Sequence, residues 1–129
     1  MTIANGESKI TETIFENRMN HIYLLNEMGA RIKLNQNVAH IKGVKTIKGM
    51  NLVGSDLRSS AALIIAGIIA KGSSKIYGLE HLDRGYENFE LKLKNLGIKI
   101  TREVSKSTFK KNEYKNKTKS EKLSKLEAA

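Results

Sequence analysis

The sequence predicts a mixed α/β fold with short hairpins, and three observations carry that reading. A helix-like stretch that ends at a glycine and runs at once into a short β-like segment occurs three times. Between the first two copies, several short β-like runs are separated by glycines. One segment, Ala61–Ala70, is apolar at every position. A helical period, a glycine stop and a β-branched run in succession mark alternating helices and strands.

Taken in order, Ile22–Met28 reads as the first helix, Gly29 as its C-terminal cap and Ala30–Leu34 as the strand that follows. Val38–Ile41, Val44–Ile47 and Met50–Val53 read as short strands with turns at Gly43 and Gly49. Ser60–Lys71, Gly72 and Ser73–Tyr77 repeat the unit, and Tyr86–Leu96, Gly97 and Ile98–Val104 repeat it again. The glycine follows from backbone geometry, because the residue just past a helix often takes positive φ, where a Cβ is strained. Gly29 and Gly97 lie 68 residues apart, which points to duplicated folding units rather than a short-period solenoid. Ala61–Ala70 has no polar face, so it needs enclosure on all sides, and it is too short for a membrane span. Such enclosure is hard to arrange in a small body, so the chain reads as built to sit inside something larger, with low solubility or self-association expected of residues 1–104.

The 129 residues carry 23 Lys+Arg against 13 Asp+Glu, a net charge of +10, with 40% hydrophobic residues and no cysteine, proline or tryptophan. This composition supports one small packed domain and excludes a disulfide framework, a thiolate zinc site or a nucleophilic thiol in this chain. No stretch approaches the roughly 20 apolar residues of a membrane span, and Met1–Lys9 is too polar for a secretory signal, so a cytoplasmic protein is expected. The charge divides the chain in two. Residues 1–104 hold 15 basic and 10 acidic groups, and residues 105–129 hold 8 and 3. The lysine- and asparagine-rich segment 105–129 lacks apolar periodicity and reads as a basic, disordered tail. Phe109 and Tyr114 among its lysines would permit non-specific nucleic-acid binding.

Three polar segments end in, or contain, an arginine near a helix: Ile10–Arg18, Ser55–Ser60 with Arg58, and His81–Glu87 with Arg84. A guanidinium fork beside unpaired helical N–H groups can hold phosphate or carboxylate, and three such segments together would form an anion-binding cleft. The plainer alternative makes Asp56 and Asp83 helix caps and pairs each arginine with a neighbouring carboxylate. His21, His40 and His81 have no metal-ligand spacing, and neither a phosphate-binding glycine loop nor a dinucleotide fingerprint is present. Ser59-Ser60 lacks a nucleophile elbow and reads as the first turn of its helix.

Four collinear motifs carry a more specific signal: Ile10-Thr11-Glu12-Thr13-Ile14-Phe15-Glu16-Asn17-Arg18, Met28-Gly29-Ala30, Asp56-Leu57-Arg58-Ser59-Ser60-Ala61-Ala62-Leu63, and His81-Leu82-Asp83-Arg84-Gly85-Tyr86-Glu87-Asn88-Phe89. Across residues 3–104 the chain resembles the C-terminal portion of the UDP-N-acetylglucosamine enolpyruvyl transferases. That resemblance implies a truncated part of an inside-out α/β barrel built of βαβαββ-type repeats, with sheets outside and helices within. It implies transfer of the enolpyruvyl group of phosphoenolpyruvate to the 3-hydroxyl of UDP-N-acetylglucosamine, the step that begins peptidoglycan precursor synthesis, with no metal or organic cofactor. By the same resemblance Ile14 lies against the amino sugar through its backbone, and Arg18, Arg58 and Arg84 line the cleft near the phosphate and carboxylate of the small substrate.

The family's usual cysteine acid is absent from the chain, as are its lysine–asparagine pair and the aspartate proposed as base, so no catalytic residue is assigned here. Met1–Ser8 resembles the end of a helix and turn, and the tail from Ser105 looks foreign to the family. Three readings follow: a truncated copy inactive alone, one piece of a split transferase needing a complementary chain, or a small basic nucleic-acid-binding remnant.

Overall fold

The computed structural model describes residues 1–15 and 17–103. The elements run β1 (Glu7–Thr11), α1 (Ile22–Glu27), β2 (Arg31–Asn35), β3 (Val38–Lys42), β4 (Asn51–Val53), α2 (Leu57–Ile69), β5 (Lys75–Tyr77), α3 (Glu80–Asp83) and α4 (Phe89–Asn95). They belong to a compact unit, Met1–Ile98. The expected basic tail, 105–129, lies outside the described residues.

β2 and β3 form a hairpin that closes on Asn35 and Val38, with Gln36 at φ 52° as the first residue of its two-residue turn. A tight hairpin needs positive φ there to match the twist of its strands. β1 joins the other side of β3, giving an antiparallel sheet in the order β1-β3-β2. Side chains alternate across it as the period of two requires: Ile32, Ala39 and Ile41 face the core while Arg31, Lys33, His40 and Lys42 are exposed. The sequence reading made Met1–Ser8 the end of a helix and turn; residues 2–6 do turn, without a helix before them among the described residues, and β1 begins at Glu7. Its pairing partner lies some thirty residues ahead in the chain, from Glu7↔Lys42 to Thr11↔Val38, and no local pattern encodes it.

β4 and β5 pair in parallel through α2, in register from Asn51↔Lys75 to Val53↔Tyr77. The strand expected at Val44–Ile47 is not formed. Its neighbourhood serves two elements instead: Lys48 N–H donates to the Met28 carbonyl (2.7 Å) and Lys71 N–H to the Ile47 carbonyl (2.8 Å), with one bridge at Lys48↔Lys71. A segment whose backbone hydrogen bonds go to a helix end on one side and a turn on the other cannot also build a ladder. Residues 98–103, the described part of the strand expected at Ile98–Val104, form neither helix nor strand.

The glycine stops are as the sequence predicts: Gly29, Gly72 and Gly97 have φ of +100°, +96° and +84°. Met28, Ile47, Leu52 and Leu63, each at most 2% exposed, sit at the centre of the core. α2 delivers Leu63, Ile64 and Ala66 inward, yet Ile65 and Ile69 on its opposite side are 54% and 43% exposed. This helix is enclosed on one face only. The described residues contain no helix long and apolar enough to cross a membrane.

Candidate functional site

The loop after β1 is held by one carboxylate. Glu12 accepts from the backbone N–H of Ile14 (2.9 Å) and of Phe15 (3.3 Å), and from the Arg18 guanidinium (3.4 Å). Its own backbone is fixed by Asn37 in the hairpin turn, whose side-chain amide donates to the Glu12 carbonyl (2.7 Å) and whose carbonyl accepts the Glu12 N–H (2.8 Å). The N–H donors, Ile14 foremost, with Arg18 beside them, hold the Glu12 carboxyl below its usual range against the opposing effect of desolvation. Arg18 stacks over the Phe15 ring at 3.9 Å and keeps a buried Nε without a hydrogen-bond partner. Ile14 stands at the tip, 74% exposed, with its N–H taken by Glu12.

The second segment begins α2. Asp56 is the N-terminal cap, accepting the Ser59 N–H at 2.9 Å, and Ser55 donates to its other oxygen at 3.2 Å. The Ser59 N–H is the main reason the Asp56 carboxyl stays well charged, helped by Ser55, the Arg58 N–H and nearby His21. Ser59 and Ser60 lie in the first turn, 1% and 0% exposed, packed where a nucleophile could not meet substrate.

These two segments meet. Phe15, Asn17, Arg18, Asp56 and Arg58 line one cavity of about 150 Å³. With the Asp56 oxygens engaged by Ser59 and Ser55, the donor side chains among the lining residues are the Arg18 and Arg58 guanidinium groups and the Asn17 amide. An arrangement of this kind takes a phosphate or carboxylate oxygen through charge-assisted hydrogen bonds.

Arg84 does not line that cavity. It caps the C-terminal end of α3 and is exposed, and Asp83 ends the same short helix instead of capping α4, whose N-cap is Asn88. The third segment nevertheless runs beside the second, because a Cβ added at Gly85 would lie 2.7 Å from Leu57 Cδ2. Leu57 is the first residue of α2 and Arg58 the next, so the backbone carrying Arg84 passes next to the cavity's helix. Sequence reasoning missed Glu12, Phe15, Asn17 and Asn37. The first three fall inside a quoted motif, but their work depends on a hairpin turn that only the folded chain brings near. Among the described residues no group of three His, Asp or Glu could hold a metal ion.

Acid sensitivity follows from three groups here. Burial lowers the His21 pKa from its ordinary 6.5, outweighing the attraction of Asp56, so the unfolded chain binds the proton more readily and stability falls as pH drops below 6.5. Glu12 and Asp56 have lowered values in the folded state, so their contributions are present above about 4.5 and 3.8 and disappear as pH falls through the folded values. The thermal midpoint is expected to decline from pH 7 to 5, and His21→Gln to flatten that part of the profile while leaving the steeper loss below pH 4.5. A profile unchanged by His21→Gln between pH 5 and 7 contradicts this assignment.

The comparisons bear on what this cavity belongs to. The family model described as EPSP synthase (3-phosphoshikimate 1-carboxyvinyltransferase) matches residues 1–93. The chain belongs to the EPSP synthase family. Within that family it is 87% identical over all 129 residues to a UDP-N-acetylglucosamine 1-carboxyvinyltransferase of Prochlorococcus marinus strain AS9601, of which it covers 28%. It is 51% identical over 102 residues to the enzyme of that name from Synechocystis, covering 23% of it. The enolpyruvyl transferase NikO from Streptomyces tendae superposes with a TM-score of 0.68 at 29% identity, over 76% of this chain and 23% of NikO. The fold is thus a portion of the enolpyruvyl transferase fold, and the chain spans about a quarter of the length of the curated relatives it matches. The Prochlorococcus match covers all 129 residues, so the basic segment 105–129 is shared with that relative, while the family model ends at residue 93.

Proposed function

We propose that this chain supplies one wall of the substrate cleft of a UDP-N-acetylglucosamine 1-carboxyvinyltransferase, acting in the cytoplasm in peptidoglycan precursor synthesis. The observation that supports it best is the one cavity that Arg18 and Arg58 line together. In this reading the sugar 3-hydroxyl gives up its proton and adds to C2 of phosphoenolpyruvate while C3 takes up a proton. The resulting tetrahedral carbon then expels phosphate as C3 loses a proton, which leaves the enol ether. Arg18 and Arg58 hold the leaving phosphate or the carboxylate, which are fixed negative charges suited to permanently charged forks. Arg84, on the segment that passes beside α2 but outside this cavity, is not needed to hold that anion in this reading. Ile14 meets the amino sugar through its backbone, with the loop shape set by Glu12. The proton-transfer groups come from the rest of the family's chain, so activity requires a complementary transferase segment. The exposed Ile65–Ile69 side of α2 is the kind of surface such a segment would cover.

Calorimetric titration of UDP-N-acetylglucosamine, with and without phosphoenolpyruvate, tests the reading. Binding is expected to weaken by roughly ten- to a hundredfold in Arg58→Ala or Arg18→Ala, the range for losing a charge-assisted hydrogen bond. Phosphate release is expected only after mixing with the complementary segment. Absence of heat from a folded sample, together with no phosphate release on mixing, overturns it.

A further inference from the structure

The sheet is tied to the substrate cavity by a side chain that does not line it. Glu12 and Asn37 stand opposite each other one step beyond the last ladder pair of β1 and β3, Thr11↔Val38. Glu12 N–H donates to the Asn37 carbonyl at 2.8 Å, as it would in a ladder, but the Glu12 carbonyl is reached by the Asn37 side-chain amide, at 2.7 Å. Asparagine in a two-residue hairpin turn usually answers a need for positive φ. Here Gln36 takes that conformation, at φ 52°, and Asn37 does not. Ladder pairs from Glu7↔Lys42 to Thr11↔Val38 already attach β1 to the sheet, and Asn37 is exposed and outside the core cluster. Neither turn geometry, strand attachment nor burial therefore calls for an amide at this position. Its effect is to fix the direction in which Glu12 leaves the strand.

We propose that Asn37 is a positioning residue for the substrate site, acting through Glu12, a role that rests on the substrate reading of the Arg18 and Arg58 cavity. Asn37 is not among the residues that line that cavity. Glu12 carries the effect. Its Oε1 accepts from the Ile14 N–H at 2.9 Å and the Phe15 N–H at 3.3 Å, and its Oε2 from Arg18 at 3.4 Å. Arg18 stacks in turn on Phe15, and both line the cavity with Arg58. One carboxylate gathers three donors only if its own backbone is held, and the Asn37 amide holds it. Without the amide the Glu12 peptide is free to rotate, and the guanidinium that meets the substrate anion shifts with the loop. An error of about 1 Å is costly in a site that works by fixed charges. Loss of Asn37 thus lowers affinity without removing any group that touches substrate.

The test uses Asn37→Ala and, should that variant fold poorly, Asn37→Gly, since hairpin turns accept glycine readily. In the free chain, NMR titration is expected to find the Glu12 carboxyl moved up from its lowered value toward 4.5, because the Ile14 N–H that chiefly holds it down is no longer in place. Affinity for phosphoenolpyruvate in the presence of UDP-N-acetylglucosamine is expected to fall about three- to tenfold, the worth of one hydrogen bond. It is read by calorimetry or as KM after mixing with the complementary segment. In a Glu12→Ala background the same substitution is expected to cost less than about twofold, since members of one network are not additive. A general loss of structure would cost the same in both backgrounds. An unmoved Glu12 titration, unchanged affinity, or an equal loss in both backgrounds overturns the inference and leaves the substrate reading intact. Failure of the parent chain to bind, together with no phosphate release on mixing, overturns the substrate reading and this role with it.

Discussion

Leu63→Ala is expected to lower the unfolding free energy by about 2–5 kcal/mol, read as a shift of the urea midpoint at unchanged slope. Leu63 is 0% exposed on the inner side of α2 and belongs to the cluster formed with Met28, Ile47 and Leu52. Truncation removes its transfer free energy and leaves a cavity that neighbours from α1, the 44–50 connector and β4 cannot all collapse into. For a small domain with a total of about 5–15 kcal/mol, that is a large fraction. Ile65→Ala, two residues along the same helix but 54% exposed, is expected to stay within about 0.5 kcal/mol in dilute solution. The contrast also reports on association. At high concentration, or with a complementary segment that covers α2, Ile65→Ala becomes costly while Leu63→Ala costs what it did before. Equal effects of the two substitutions in dilute monomer would contradict the one-sided burial of this helix.

Gly78→Ala is expected to destabilise by about 2–4 kcal/mol and to weaken ligand binding with it. Gly78 has φ +80°, and a Cβ there would strike the Gly54 carbonyl. Gly54 N–H in turn donates to the Tyr77 carbonyl at 2.9 Å, and the Ser60 hydroxyl donates to the Gly78 carbonyl at 3.4 Å. The ends of β4 and β5 and the first turn of α2 thus form a single junction, four residues from the Asp56 cap and next to Arg58. Displacing it moves the guanidinium that lines the cavity. Gly29→Ala is the control, since Gly29 has φ +100° but open space around the added Cβ. Only the backbone term of about 1–2 kcal/mol applies there. If the two alanines cost the same, the close approach of Gly54 and Gly78 does not contribute.

The residues show why some of this was legible in the sequence. Glycine at positions 29, 72 and 97 marks a local conformational need, so helix ends were readable from a few neighbours. Asp56 announced itself as a cap for the same reason, with its acceptor and the Ser59 donor three residues apart. Arg18 and Arg58 were found because their segments combine permanent charge with a helix start. Arg84 shares that pattern but ends up behind a short helix that no periodicity of four residues could have announced.

The sequence by itself determined the α/β class, the three glycine stops, the apolar helix and the membership of a transferase family, because each is written in local chemistry or in collinear motifs. Only the tertiary structure decided that Met1–Ser8 leads into a strand, that Val44–Ile47 does not form one, and that Arg18 and Arg58 share a cavity while Arg84 stays outside it. Those outcomes depend on which backbone edges and carboxylates are left to partner with after the core has packed. Glu7 finds Lys42 and Asn37 finds Glu12 across long stretches of chain, where loop closure and burial rather than propensity choose the pair.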